Sequence, residues 1–73
     1  MKLTTYEKKH KLKEKGWKAY EQYATEYGGY RVYKNGEYLL EVYYDDDRNV
    51  LSDTCAEAAT GCVIAGHNYV QQK

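Results

Sequence analysis

The first third of the chain carries apolar and aromatic residues at alternating three- and four-residue steps. Positions with this spacing lie on one side of a helix, so the pattern predicts an α-helix over residues 3–27. Thr4 and Glu7 have the spacing of a capping box, and Gly28-Gly29 supplies a stop signal. A strand, indicated by alternation from Trp17 to Tyr23, is the weaker alternative. The stripe consists of Leu3, Tyr6, His10, Lys13, Trp17, Tyr20, Ala24 and Tyr27. Its first half is polar, so residues 1–13 are predicted to project as a basic arm.

Residues 30–44 contain two runs rich in Tyr, Val and Leu on either side of Asn35-Gly36. This arrangement predicts a β-hairpin with a two-residue type I′ turn. That turn places Tyr33 opposite Tyr38 and Val32 opposite Leu39. One face then carries Arg31, Tyr33, Tyr38, Leu40, Val42 and Tyr44, and the other carries Tyr30, Val32, Lys34, Glu37, Leu39, Glu41 and Tyr43. Neither face is cleanly polar. We therefore expect the face that does not form the core to be covered by a helix, to pair with another subunit, or to bind a partner.

The last third predicts a second helix that begins near Ser52 or Thr54, with Asp53 close to its positive end. Small residues would let one side of this helix approach the hairpin closely. Gly61 and Gly66 interrupt the pattern, and residues 62–65 form a short strand in the alternative interpretation. The predicted fold is a single small α+β domain over residues 1–73, with a long N-terminal helix, a β-hairpin and a C-terminal helix.

The composition changes this picture by pointing to binding. The 73 residues include ten Tyr and no Phe. Tyr offers nearly the apolar area of Phe but needs a partner or water for its hydroxyl, so it suits surfaces that are partly dry and partly wet. Binding interfaces are such surfaces. A core too shallow to bury any ring completely is the structural alternative.

The charge is zero in sum but unevenly distributed. Residues 1–18 hold seven Lys against two Glu, and residues 19–73 hold four Lys or Arg against nine Asp or Glu. The two parts carry about +5 and −5, which favours packing of the halves, pairing of copies, or a charged partner. No apolar run is long enough to span a membrane, and no signal-peptide core is present, so we expect a cytoplasmic protein with reduced thiols.

The motifs for catalysis and metal binding are incomplete. Cys55, Cys62 and His67 lack the spacing of a zinc site, and no nucleophile and base are placed together. The run from Asp45 to Asn49 begins like a calcium loop but has Val50 and Ala56 where that loop needs Gly and Glu. We predict no catalytic residues, no metal and no cofactor.

Two functions fit these patterns. The first is a non-enzymatic protein-binding module, an inhibitor or adaptor that engages a larger protein. Its acidic residues would steer it to a basic surface of that protein, such as one that binds nucleic acid. Its predicted binding residues are Arg31, Tyr33, Tyr38, Tyr44, Asp45, Asp46 and Asp47. In size and lack of catalytic motifs the chain is similar to phage inhibitors of host defence, including anti-CRISPR proteins. The second function is nucleic-acid binding through Lys8, Lys9, Lys11, Lys15 and Lys18 with the Arg and Tyr side chains of the hairpin. Either function is compatible with a homodimer.

Overall fold

The computed structural model describes residues 1–69, and it consists mainly of one antiparallel sheet. The order of elements is α1 (Leu3–Lys9), β1 (Lys18–Thr25), β2 (Gly28–Asn35), β3 (Tyr38–Asp45), β4 (Val50–Glu57) and β5 (Val63–Asn68). The strands lie in the sheet in chain order, so each is hydrogen-bonded to its neighbours in sequence and β1 and β5 form the edges. The predicted α+β fold with two long helices is therefore wrong. The helix of residues 1–69 is also too short to cross a membrane.

The predicted N-terminal helix ends at Lys9, and the strand alternative is correct from Lys18 onward. The register of β1 against β2 shifts between Ala19 and Glu21, which is a β-bulge. The bulge breaks strict alternation, so Tyr20 and Tyr23 are three residues apart and still lie on the same side of the sheet. That spacing imitates a helical stripe. The capping box does not form either, because Lys2 occupies the N-cap position and makes no side-chain bond there.

The predicted C-terminal helix is replaced by a second hairpin, β4 and β5. Asp53 pairs with His67 and Cys55 pairs with Ala65. The chain turns between Glu57 and Cys62, where the Glu57 N–H donates to the Cys62 carbonyl. The short strand considered for residues 62–65 is thus present and extends to Asn68. Val70, at the end of the predicted helix, lies outside the described residues.

The predicted hairpin of β2 and β3 is confirmed, but its register is not. Asn35 pairs with Tyr38, and Tyr33 pairs with Leu40 rather than with Tyr38. The loop is Gly36-Glu37, and Gly36 has a φ of 60°, as the first loop residue of a type II′ turn requires. The observed register is shifted by two residues from the predicted one. Because side chains alternate between the two faces with a period of two, the predicted division into two faces is unchanged.

One face of the sheet holds the core, under α1 and the turns that follow it. Its buried side chains come from the helix, the following turn and the three central strands: Leu3, Tyr6, Leu12, Tyr33, Leu40, Val42, Tyr44 and Val50. Residues 1–13 therefore do not project as an arm. Their position is fixed at the β3–β4 turn, where the Leu3 N–H donates to the Arg48 carbonyl and the Val50 N–H donates to the Met1 carbonyl.

The glycine pair predicted to stop a helix serves strand pairing instead. A Cβ atom on Gly29 would lie 2.0 Å from the Tyr23 carbonyl oxygen, and one on Gly28 would lie 2.5 Å from the Tyr44 carbonyl oxygen. Only residues without a side chain allow β1, β2 and β3 to come this close at the end of the sheet.

Candidate protein-binding face

Within residues 1–69 no helix covers the side of the sheet opposite the core, and this side displays a row of tyrosines. Tyr30, on β2, stacks on Tyr23 of β1 with ring centroids 5.8 Å apart. Tyr30 also contacts Tyr43 of β3, at 5.7 Å. We call this surface the tyrosine face, and it comprises Tyr20, Tyr23, Tyr30, Val32 and Tyr43. Three neighbouring strands position these rings, so they form a continuous platform rather than isolated exposed side chains.

Much of this platform is accessible to a partner. Tyr20 and Tyr23 are 61% and 57% exposed, and Tyr43 is 38% exposed. Val32 lies on the same side of the sheet, between Glu21 and Glu41, and is buried. The surface therefore has a dry centre and hydroxyl groups at its margin, which is the composition that favours protein interfaces.

The charges on the tyrosine face balance one another. Lys18 and Lys34 are cross-strand partners, and the Lys34 ammonium lies 5.2 Å from the centroid of the Tyr20 ring. Glu21 and Glu41 occupy the same side, since both are paired with Val32. The Tyr43 hydroxyl donates to Glu41 at 2.8 Å, and this hydrogen bond raises the pKa of Tyr43. Two positive and two negative groups leave the face without a net charge.

The hairpin residues predicted to bind a protein are divided between the interior and the surface. Tyr33 and Tyr44 are 3% and 2% exposed and belong to the core. Arg31 is held by Glu7, at 3.2 Å, and by Gln22, at 2.9 Å. Tyr38 is exposed at the end of β3, on the same side as the core. Their predicted binding role remains a prediction, and of these four side chains only Tyr38 has an exposed ring.

The acidic residues of the prediction lie in the turn between β3 and β4. Asp45 accepts the backbone N–H groups of Asn49, at 2.8 Å, and Asp47, at 3.0 Å. These bonds, first of all the one from Asn49, lower the pKa of the Asp45 carboxyl. Asp45 therefore shapes the turn, whereas the carboxylates of Asp46 and Asp47 are exposed beside it.

The lysines predicted to bind nucleic acid lie away from the tyrosine face. Lys8 and Lys9 are on the last turn of α1, and Lys11 and Lys15 are on the turns that follow it. All four are exposed on the side of the sheet that carries the helix. Only Lys18 reaches the tyrosine face. The structure therefore does not combine the basic segment and the exposed tyrosines into one surface.

A buried carboxylate, which the sequence interpretation placed at a helix end, instead connects three parts of the fold. Asp53 is 5% exposed, and its Oδ2 accepts the hydroxyl groups of Tyr6, at 2.5 Å, and Tyr69, at 2.8 Å. Its Oδ1 lies 3.0 Å from His67 Nδ1. Burial alone would raise the pKa of Asp53, but these three hydrogen-bond partners outweigh burial and lower it. Burial, followed by the hydrogen bond to Asp53 and the charge of that carboxylate, raises the pKa of Tyr69 to about 12.

The surroundings of this carboxylate contain a thiol and a second imidazole. Asp53, His67, His10 and Cys55 line a cavity of about 170 Å³ under Trp17. Burial and the nearby Asp53 charge raise the pKa of the Cys55 thiol, which disfavours the thiolate that a nucleophile requires. Within residues 1–69 no three His, Cys, Asp or Glu side chains are arranged to hold a metal ion. Through these hydrogen bonds Asp53 links Tyr6 of α1 to His67 of β5 and to Tyr69.

Sequence reasoning missed the most exposed members of the tyrosine face. Tyr20 and Tyr23 were assigned to a helix, although their spacing of three also fits a strand with a bulge. The signal that could have identified them is the strand alternative itself, because a strand beside β2 would bring Tyr23 next to Tyr30.

Comparison with known proteins gives no matching family model, no similar curated protein and no similar solved structure. The function of this protein is therefore inferred from its own surfaces.

Proposed function

We propose that this protein is a non-enzymatic binding module that engages a larger protein through the tyrosine face. The observation that supports the proposal is the unequal covering of the sheet. On the side that carries α1, Tyr6, Tyr33 and Tyr44 are buried, while the other side leaves three neighbouring rings, Tyr20, Tyr23 and Tyr43, accessible. Large aromatic rings held on a rigid sheet cost little conformational entropy on binding, so a few of them can carry most of an affinity.

The charge of the tyrosine face favours a protein over a nucleic acid. A surface that binds a phosphate backbone needs excess positive charge, whereas Lys18 and Lys34 are balanced here by Glu21 and Glu41. The exposed Asp46 and Asp47 at the end of β3 would steer the module toward a basic partner surface and raise the association rate. An inhibitor or adaptor that covers such a surface fits these features.

The proposal is tested by replacing exposed rings. Tyr20, Tyr23 and Tyr43 are changed together to Ser, and Tyr27→Ser is the control, because Tyr27 is 81% exposed in the β1–β2 turn and is not part of the face. Tagged proteins are used to capture partners from a nuclease-treated lysate of the source organism, and the captured protein is purified for measurement of Kd. We expect the triple variant to weaken binding by at least about 100-fold, since hot-spot rings contribute roughly 2–4 kcal/mol each.

Two results would contradict the proposal. One is unchanged binding of the captured protein by the triple variant while circular dichroism shows an intact sheet. The other is recovery of nucleic acid alone, lost on treatment with nuclease, which would favour the lysine segment instead. Sedimentation of the wild type and the triple variant would also test the predicted homodimer, since a second copy that uses this face would dissociate in the variant.

A further inference from the structure

A second surface lies on the side of the sheet that carries the helix, between the helix with its following turns and the edge strand β1. It is a groove of about 590 Å³, in the size range of sites that hold small molecules or peptide side chains. Leu12, Trp17, Ala19 and Tyr33 line its apolar floor. The groove exists because α1 covers the central strands and leaves this side of β1 exposed.

The rim of the groove is basic. Lys8, Lys11 and Lys13 line it together with Glu7 and Glu14. The ion pairs within residues 1–69 join Arg31 to Glu7 and His67 to Asp53, so none of the groove lysines is neutralised in this way. Because Glu7 is paired with Arg31, the three groove lysines face Glu14 alone, and a partner that enters the groove meets an excess of positive charge above an apolar floor.

The backbone beside the groove can also bind. Ala19 belongs to β1, which pairs only with β2 among the strands of residues 1–69. The outer edge of β1 thus offers backbone N–H and C=O groups to an additional strand. An extended peptide along this edge would direct alternate side chains toward the groove.

We propose that this groove binds an extended acidic segment of a partner protein, with its carboxylates at the lysine rim and its apolar side chains on the floor. A single-stranded nucleic acid would satisfy the lysines but would find few rings on which to stack. Tyr33 is buried, and its hydroxyl donates to Glu7 at 2.7 Å, so Trp17 is the remaining aromatic surface. Leu12 is buried as deeply as Tyr33, so the accessible aliphatic part of the floor is Ala19, which suits peptide side chains better than bases.

The single tryptophan of the chain provides a direct readout, because Trp17 lies in the groove. The probe is an acetylated peptide of alternating Glu and Leu, titrated against the full-length chain while Trp17 fluorescence is followed. Peptides of alternating Lys and Leu, and of alternating Glu and Ser, separate the charge from the apolar contribution. We expect saturable binding of the Glu-Leu peptide alone, weakened by added salt.

Two variants test the location of the site. Lys8→Glu with Lys11→Glu should weaken binding of the Glu-Leu peptide about tenfold or more, because two attractive charges become repulsive. Lys18→Glu with Lys34→Glu makes the same change in charge on the tyrosine face and should leave the affinity nearly unchanged. Ala19→Glu, at an exposed position of the floor, should also abolish binding without unfolding the sheet.

The proposal is overturned if the Glu-Leu peptide does not change the fluorescence, or if the Lys-Leu or Glu-Ser peptide binds equally well. It is likewise overturned if the two lysine pairs have equal effects, or if oligothymidylate binds and the peptide does not. The Tyr20, Tyr23 and Tyr43 triple variant should bind the peptide normally, so failure of this site can be distinguished from failure of the tyrosine face.

Discussion

Removal of one hydroxyl group tests whether the Asp53 cluster holds the helix on the sheet. Tyr6 is 1% exposed and donates its hydroxyl to Asp53 Oδ2. Tyr6→Phe keeps the ring and its packing but deletes this donor. Asp53 retains Tyr69 and His67 as partners, so the variant removes one hydrogen bond without leaving a bare buried charge.

The expected loss follows from the charge of the acceptor. A hydrogen bond to an ionised group contributes about 1.5–3 kcal/mol, more than one between neutral groups, so we expect the free energy of unfolding to fall by about 2 kcal/mol at pH 7. A domain of this size has a total stability of roughly 4–11 kcal/mol, at about 0.05–0.15 kcal/mol per residue. The predicted loss is therefore a considerable fraction of the whole.

The loss should also depend on pH. Because the folded-state pKa of Asp53 is lowered, the ionised carboxylate stabilises the fold above its unfolded pKa of about 3.9, and this stabilisation is lost as the pH falls through the folded pKa. Tyr6→Phe removes one of the bonds that lower this pKa. The difference between the variant and the wild type should therefore shrink in acid.

Urea unfolding followed by Trp17 fluorescence measures both effects, because Trp17 packs against the core. Tyr43→Phe is the matched control: it deletes an exposed hydroxyl that also donates to a carboxylate, Glu41, and should cost less than about 0.5 kcal/mol. Equal losses of stability in both variants at pH 7 would contradict this role of Asp53, as would a loss in Tyr6→Phe that does not shrink as the pH falls below about 3.9.

Three further predictions concern other parts of the fold. Gly29→Ala should destabilise the protein by about 3 kcal/mol or more and increase hydrogen exchange in β1, because the added Cβ meets the Tyr23 carbonyl. The control Gly61→Ala has open space around the added Cβ but a φ of 71°, and it should cost only about 1–2 kcal/mol. Cys55 should react with a thiol reagent at least about ten times more slowly than the exposed Cys62, because burial and the charge of Asp53 raise the pKa of the Cys55 thiol. The two rates are measured on the Cys62→Ser and Cys55→Ser variants, and equal rates would contradict this expectation. The free energy of unfolding should decline as the pH rises above about 10, since the raised pKa of Tyr69 means that its neutral form is favoured in the fold. Tyr69→Phe should reduce that decline when unfolding is measured by urea titration.

The hairpin of β2 and β3 was the element that sequence patterns could predict. Alternation defined its two faces correctly, and Asn35-Gly36 located its turn to within one residue. The register was wrong because Asn-Gly suggested a type I′ turn, whereas only Gly36 adopts positive φ in this loop. The same residues can form a type I′ or a type II′ turn, and strand packing rather than local preference decides between the two.

The helices were mispredicted for identifiable reasons. In β1 the bulge allows Tyr20 and Tyr23, which are three residues apart, to lie on the same side of the sheet. A spacing of three is also the period expected of a helix. In β4 and β5 small residues around the turn, such as Ala58 and Ala59, have helical propensity but form the connection between strands. Pairing with a strand that is already present overrides weak local preferences, and no local pattern records that neighbour.

Local patterns in the chain were enough to identify the two-faced hairpin, the separation of charge, and an excess of Tyr over Phe that favours partly wet surfaces. Which aromatic rings are buried and which are exposed depends instead on tertiary contacts. Alternation divides side chains into two sets, but only the docking of α1 selects the set with Tyr33 and Tyr44 for burial and leaves Tyr23 and Tyr43 exposed. That selection depends on contacts between residues far apart in the chain, such as Tyr6 with Asp53, and these arise only when the whole sheet has formed.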